Sequence, residues 1–233
     1  MVPFLYSVDG SLLAVGEPFQ SYQDPGISVP AEITALTGIT DEMVQGQTID
    51  LAQVEEHVGR AAIIIAHNAA FDRKFAERLS PAFETKPWAC SMSQIPWATE
   101  GVRGSKLAYL AAASGFFFAE HRAVTVCQAA IEILGRPLPQ SGRTALSALL
   151  HEARQRTCRV WAEGAAFDLK DILKARRYRW SSGEDGGRKA WYIDPPEGSL
   201  DVEVTFLHNE IYQRGVDIPI TYIDAHARFS TRV

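Results

Sequence analysis

The sequence predicts an α/β main domain followed by a small α+β domain, on three observations. "AAIIIAH" (61–67) is a continuous apolar run of strand length, and the amphipathic "AAFDRKFAERL" (69–79) follows it directly, so a buried strand feeds a helix. The apolar runs "FLYSV" and "SLLAVG" flank Asp9-Gly10, a strong hairpin signal. At "GRPLPQSGRT" (135–144) two prolines, two glycines and polar residues break the pattern, as a linker does.

Taken in order, the opening hairpin is followed by "DPGISVPAEITALTGITDEMV" (24–44), whose prolines and glycines predict a long loop with a short helical turn. A helix over 50–60 starts at Asp50, a plausible N-cap. The strand 61–67 and helix 69–79 come next, then a strand in "PWACSM" (87–92) and a helix over 106–115 ended by Gly115. "EHRAVTVCQAAIEILG" (120–135) repeats Ala123, Val126, Ala130 and Ile131 at helical spacing, with Gly135 where a C-cap belongs. Beyond the break are expected a helix (144–155), a strand (157–163), a helix (167–176), a hairpin around "SSGEDGG", a helix (199–213) and a strand (218–224). The expected domains are 1–138, a linker and helix over 139–156, and 157–233.

Composition bounds the function. With 46% hydrophobic and 22% charged residues, the chain has an ordinary globular balance. No stretch approaches the roughly 18–20 apolar residues of a membrane span. The start "MVPFLYSVDG" has neither a basic n-region nor a cleavage site, so no signal peptide is expected. Cys90, Cys127 and Cys158 are scattered and odd in number, which argues for a reducing, cytoplasmic setting and against a zinc site or disulfide framework. A net charge of −5 gives no global attraction for a polyanion, so nucleic-acid contact needs a local basic patch or a grip on a strand end.

One residue stands out for chemistry. Asp72 lies in the first turn of a helix that leaves the end of a buried strand, a place that reaches the crevice at a sheet edge. Two readings stand for it. Its carboxylate could bind a hard cation such as Mg²⁺ through oxygen. Alternatively, it only favours the helix dipole, worth about 0.3–1 kcal/mol.

"LTGITDEMV" (36–44), "AHNAAFD" (66–72) and "HRA" (121–123), in that order, give a more specific expectation. Over roughly residues 1–135 the chain resembles the DEDDh 3′–5′ exonucleases, the DnaQ-like superfamily of the proofreading epsilon subunit of bacterial DNA polymerase III. The resemblance implies a ribonuclease-H-like mixed sheet flanked by helices. It implies hydrolysis of phosphodiester bonds at nucleic-acid 3′ ends, with Mg²⁺ or Mn²⁺ as cofactor. Two ions about 4 Å apart would activate water and neutralise the reacting oxygens, and a histidine would act as general base. By matching motifs, Asp72 corresponds to the metal-binding carboxylate of the second motif and His121 to the base. Leu36, Thr37, Gly38 and Ile39 would lie beside the terminal nucleotide, and His67, Asn68 and Phe71 would shape the crevice. For His67 and Asn68, satisfying the strand-to-helix turn is an equal reading. The implied partners are nucleic acid with a free 3′ end, DNA first, and a polymerase or repair complex, for which the chain shows no clamp-binding motif.

Two departures shape the expectation. The family's first motif, Asp-x-Glu on an opening strand, has no counterpart here, and the third motif's aspartate, five residues after the histidine, is Val126. Three of four metal ligands are missing. The expectation is therefore a chain that is truncated, with an Asp-x-Glu strand encoded in frame upstream, or catalytically impaired. The alternative is a nuclease fold that binds nucleic acid without cutting it. Glu120 is expected to cap the helix or face solvent.

In "DLKDILKARRYRWSSGEDGGRKAWYID" (168–194), basic residues interleave with aromatics. Lys174, Arg177, Arg179 and Trp180 are the candidates for nucleic-acid contact, cations on phosphates and rings on bases. The competing reading is a hairpin whose tryptophans pack on the helix 199–213 while the charges are solvated.

Overall fold

The computed structural model describes residues 1–119, 122–184 and 187–232. Among them the chain divides into two compact units, Met1–Glu152 and Ala153–Val233.

In the first unit, β1 (Phe4–Tyr6) and β2 (Leu12–Val15) form the expected antiparallel hairpin. Asp9 shapes its turn by accepting from the Ser7 and Ser11 hydroxyls. The loop 24–44 holds two short helices, α1 (Ala31–Thr37) and α2 (Asp41–Val44). α3 (Leu51–Arg60) is capped by Asp50, whose carboxylate accepts from the Ala52 and Gln53 amides at 3.0 and 3.2 Å. These bonds satisfy two of the helix's orphan donors.

β3 (Ile64–Ala66) runs into α4 (Ala69–Leu79), and β4 (Trp88–Cys90) returns parallel to β3. The parallel βα-turn-β arrangement is the α/β signature anticipated from the apolar run. β4 is buried along its whole length, but β3 is only half-buried, against expectation. The ladder gives the reason. Ile64 donates to the Pro87 carbonyl and Ala66 accepts from Ser91, so these residues turn toward β4. Ile63, Ile65 and His67 turn their backbone groups to the opposite edge, where no described strand pairs. β1–β2 and β3–β4 are thus separate two-stranded sheets. The fold class is α/β, as expected for a ribonuclease-H-like domain.

α5 (Leu107–Ala113), α6 (Ala123–Gly135) and α7 (Ala145–Arg154) complete this part of the chain. Trp88, Leu107, Leu110, Leu134, Leu146 and Leu149 are core residues. Arg73 is fully buried in α4; it clamps Glu77 at 2.6 Å and lies 5.4 Å from the Trp88 ring centroid. Gly135, expected as a left-handed C-cap, is instead the last helical residue. A Cβ there would stand 2.7 Å from Leu12 Cδ1, so close approach of the hairpin explains the glycine. The segment read from sequence as a linker is a fastened turn. Pro137 and Thr144 form a β-bridge, and Glu100 accepts from the Gln140 and Ser141 amides at 2.9 Å.

The second unit contains β5 (Thr157–Ala162), α8 (Lys170–Ala175), β6 (Arg179–Ser181), β7 (Ala190–Ile193), α9 (Leu200–Phe206) and β8 (Ile220–Ile223). The antiparallel sheet has the order β6-β7-β5-β8, so each helix crosses over a strand, the split β-α-β plan. The helices cover the face that carries Val160, Ala162, Trp191 and Ile193. Trp161, Tyr192 and Arg179 point to the opposite face, because paired residues share a face and neighbours alternate.

Candidate functional site

The turn between β3 and α4 builds the centre of the site. Asn68 adopts φ 98°, a left-handed conformation in which Asn is tolerated better than most residues, and its carbonyl accepts from the Phe71 and Asp72 amides. This sharp turn puts Asp72 in the first helical turn. Its carboxyl reaches solvent, yet the protein packed around it strips part of its hydration and raises its pKa, partly offset by its own backbone amide.

His67 braces the end of β3, the turn-satisfying reading of the two offered for it. Its Nε2 donates to the Ser105 carbonyl at 2.8 Å, which leaves Nδ1 to accept from the Ser91 hydroxyl at 2.9 Å. Burial lowers its pKa, so the ring is a neutral staple between β3 and two loops. The Ala69 amide donates to buried Cys90 Sγ and ties the helix start to β4.

Phe71 and Phe75 are 58% and 55% exposed, with ring centroids 4.9 Å apart. They form an apolar strip on α4, beginning beside Asp72. In the loop after α1, Gly38 takes φ 69° and donates to the Thr34 carbonyl, while Thr37 Oγ1 accepts from the Ile39 amide. Leu36 stays exposed at this bend.

α6 meets the loop after α1 at its N-terminal end. Arg122, its N-cap, lies against Gly38: a Cβ on that glycine would stand 3.2 Å from the Arg122 guanidinium. Cys127 is in the electrostatic field of both Asp72 and the Met1 ammonium, with burial the larger influence raising its pKa. The start of α6 meets the Leu36–Ile39 bend through Arg122. His121 and Glu120 lie outside the described residues. Arg122 lies within the "HRA" stretch, but nothing in its type or spacing marks its approach to Gly38.

A cleft of about 320 Å³ near Ser105 is lined by Met92, Ile95, Pro96, Trp97 and Val102 among others, with no titratable side chain. Lys174, Arg177, Arg179 and Trp180 belong to the second unit. There Arg179 is committed to Asp194 at 2.6 Å and to the Tyr192 ring, whereas Trp180 points to the other face.

The family model described as exonuclease matches residues 5–134, and the chain belongs to this DnaQ-like 3′–5′ exonuclease family. It is 42% identical over 73 residues to DNA polymerase III PolC-type of Clostridium perfringens, covering 30% of this chain and 5% of that one. It is 39% identical over 61 residues to the same kind of polymerase from Streptococcus thermophilus, covering 25% and 4%. Against that of Listeria innocua it is 42% identical over 62 residues, again covering 25% and 4%. The matched segments are thus a small fraction of these relatives' length. No solved structure matches the chain.

Exonucleases of this family ordinarily use divalent metals. The described residues do not fit such a centre. No group of three His, Cys, Asp or Glu gathers among them, and Asp72 is one carboxylate where hard cations need several oxygens. Val126, one residue before Cys127, is half-buried and offers only methyl groups. Among the described residues no helix is long and apolar enough to cross a membrane.

Proposed function

We propose that this chain is a 3′-end-binding exonuclease-family protein whose hydrolytic step is impaired in the chain as it stands. The observations that carry the reading are the Arg122 guanidinium against Gly38 in the Leu36–Ile39 bend and the place of Asp72 in the first turn of α4. In this reading the exposed Leu36 and Phe71 take the sugar and base of a terminal nucleotide. Arg122 forms no ion pair with any described residue and suits the phosphate. His67 and Asn68 hold the turn and leave Asp72 as the carboxylate facing the scissile bond. His121 is the residue we assign as base, from its place in the motif.

The open edge of β3 supports the idea that an added strand, with the acids of the first motif, completes the sheet there. The test is release of mononucleotide from a 3′-labelled single strand in Mg²⁺ or Mn²⁺. The chain as it stands is expected to release little. The same chain extended through its upstream reading frame, and carrying Val126→Asp, is expected to gain activity that Asp72→Asn abolishes. Efficient release by the unmodified chain would overturn the impairment. No release by any form, with strand binding in EDTA retained, would favour the purely binding reading.

A further inference from the structure

The second unit carries an alternating series of rings and cations, exposed at Phe167 and Trp180 and anchored by Trp191, which packs against the unit's core. Lys170 Nζ lies 3.9 Å from the Phe167 ring centroid, and Phe167 is 74% exposed. Lys174, one turn further along α8, places its ammonium 6.0 Å from the Trp191 ring. Trp191 meets Trp180 edge to face at 5.5 Å, and Trp180 is 50% exposed on the edge strand β6. Between α8 and β6, Arg177 sits at φ 70°. It occupies the left-handed position of a Schellman helix end, where glycine is the usual residue. The Arg177 amide bonds the Lys174 carbonyl and the Tyr178 amide bonds the Leu173 carbonyl, which completes that motif.

Charge separates this ladder from its surroundings. Residues 153–233 hold thirteen Lys and Arg against twelve Asp and Glu, whereas residues 1–152 hold ten against sixteen. Most acids near the sheet are already committed: Glu163 to Arg188, Asp194 to Arg159 and Arg179, Glu197 to Arg156, and Glu203 to Arg176. Lys170, Lys174 and Arg177 form no ion pair with a described residue; Asp168 and Asp171 are the acids on their own element. The opposite sheet face lacks this character. There Arg159 and Arg179 both stack on Tyr192 and are both held by Asp194, so their charge is spent internally.

We infer that Phe167, Lys170, Lys174, Arg177 and Trp180, with the core-packed Trp191 bracing Trp180 from behind, are a binding track for single-stranded nucleic acid. Exposed rings stack on unpaired bases without regard to sequence, and the free cations between them neutralise phosphates. This is a second contact, separate from the crevice at Asp72, and its readout requires no hydrolysis.

The test is anisotropy of a labelled oligothymidylate, an oligouridylate and a duplex, titrated with the whole chain in EDTA over a range of salt. Both single strands are expected to bind more tightly than the duplex, and an oligodeoxyuridylate, which differs from the oligouridylate only in the sugar, identifies the sugar preferred. Trp180→Ala should weaken single-strand binding by roughly five- to a hundred-fold, from the stacking of one base. Trp180→Phe should restore part of it, which loss of folding would not. Lys170→Ala with Lys174→Ala should flatten the log–log salt dependence by about 1.4, at about 0.7 per single-strand phosphate. Failure to bind either single strand would overturn the inference. So would unchanged affinity in Trp180→Ala, or a loss that appears only with Tyr192→Ala on the opposite face.

Discussion

Replacing Gly10 by alanine isolates how the hairpin is held to the rest of its unit. Gly10 sits at φ 86°, and a Cβ there would stand 2.6 Å from Ser147 Cα and 2.7 Å from Ser147 N. These are backbone atoms of α7, which cannot swing aside as a side-chain end can. The left-handed conformation costs an alanine about 1–2 kcal/mol, and forcing a methyl into packed space costs about 1–3 kcal/mol. The close approach also supports the bond from Thr144 Oγ1 to the Gly10 carbonyl at 2.9 Å, which any retreat would stretch. Gly10→Ala should therefore destabilise the first unit by about 2–5 kcal/mol. Gly26→Ala is the matched control: φ is 69°, but nothing lies within 4 Å of its Cβ position. It should cost only the conformational part, about 1–2 kcal/mol. Because a chain with two units need not unfold in one step, hydrogen exchange at residues 3–16 and 145–152 is the appropriate assay. Equal losses in the two variants would refute the reasoning, since the clash with α7 would then contribute nothing.

Other outcomes follow from the same contacts. Tyr178 donates to Glu203 Oε1 at 2.8 Å, and burial followed by that carboxylate raises its pKa, so it stays protonated. Tyr178→Phe leaves Glu203 with one partner fewer and should cost the second unit about 1–3 kcal/mol, read by urea unfolding of the Trp signal. Asp72 has a raised pKa, so the folded state binds its proton more tightly than the unfolded state, and the ionised carboxylate opposes folding. Asp72→Asn should thus stabilise the chain at neutral pH. That gain should shrink as pH falls through the folded pKa toward the ordinary carboxylate range, in thermal melts across pH. Arg122→Ala should weaken binding of a nucleoside 5′-monophosphate by roughly ten- to a hundred-and-fifty-fold, the loss of one charge-assisted contact of about 1.5–3 kcal/mol, measured by calorimetry.

Much of the architecture was legible in the sequence, for local reasons. The Asp9-Gly10 hairpin, the Asp50 cap and the β3–α4 unit depend on turn chemistry and on the period of apolar residues within a few positions. The site was legible only in part. "AHNAAFD" and "LTGIT" pointed to the crevice, and Asp72 lies in the helical turn where the motif put it. The work done by His67 was not readable, because its partners Ser91 and Ser105 are distant in sequence and carry no motif of their own.

The sequence by itself determined which segments become helix and strand and which family the first part belongs to; that Val126 takes the place of the third motif's acid is what the resemblance implies. Helix and strand follow from residue type and spacing, which act over one or two turns. Tertiary structure decided the rest. Only the fold shows that β3 has an open edge, that Gly135 yields to Leu12, that Arg122 meets Gly38, and that Arg179 and Trp180 part to opposite faces. Those outcomes depend on pairing and close approach between residues far apart along the chain. No local propensity encodes such distances until the backbone has closed around them.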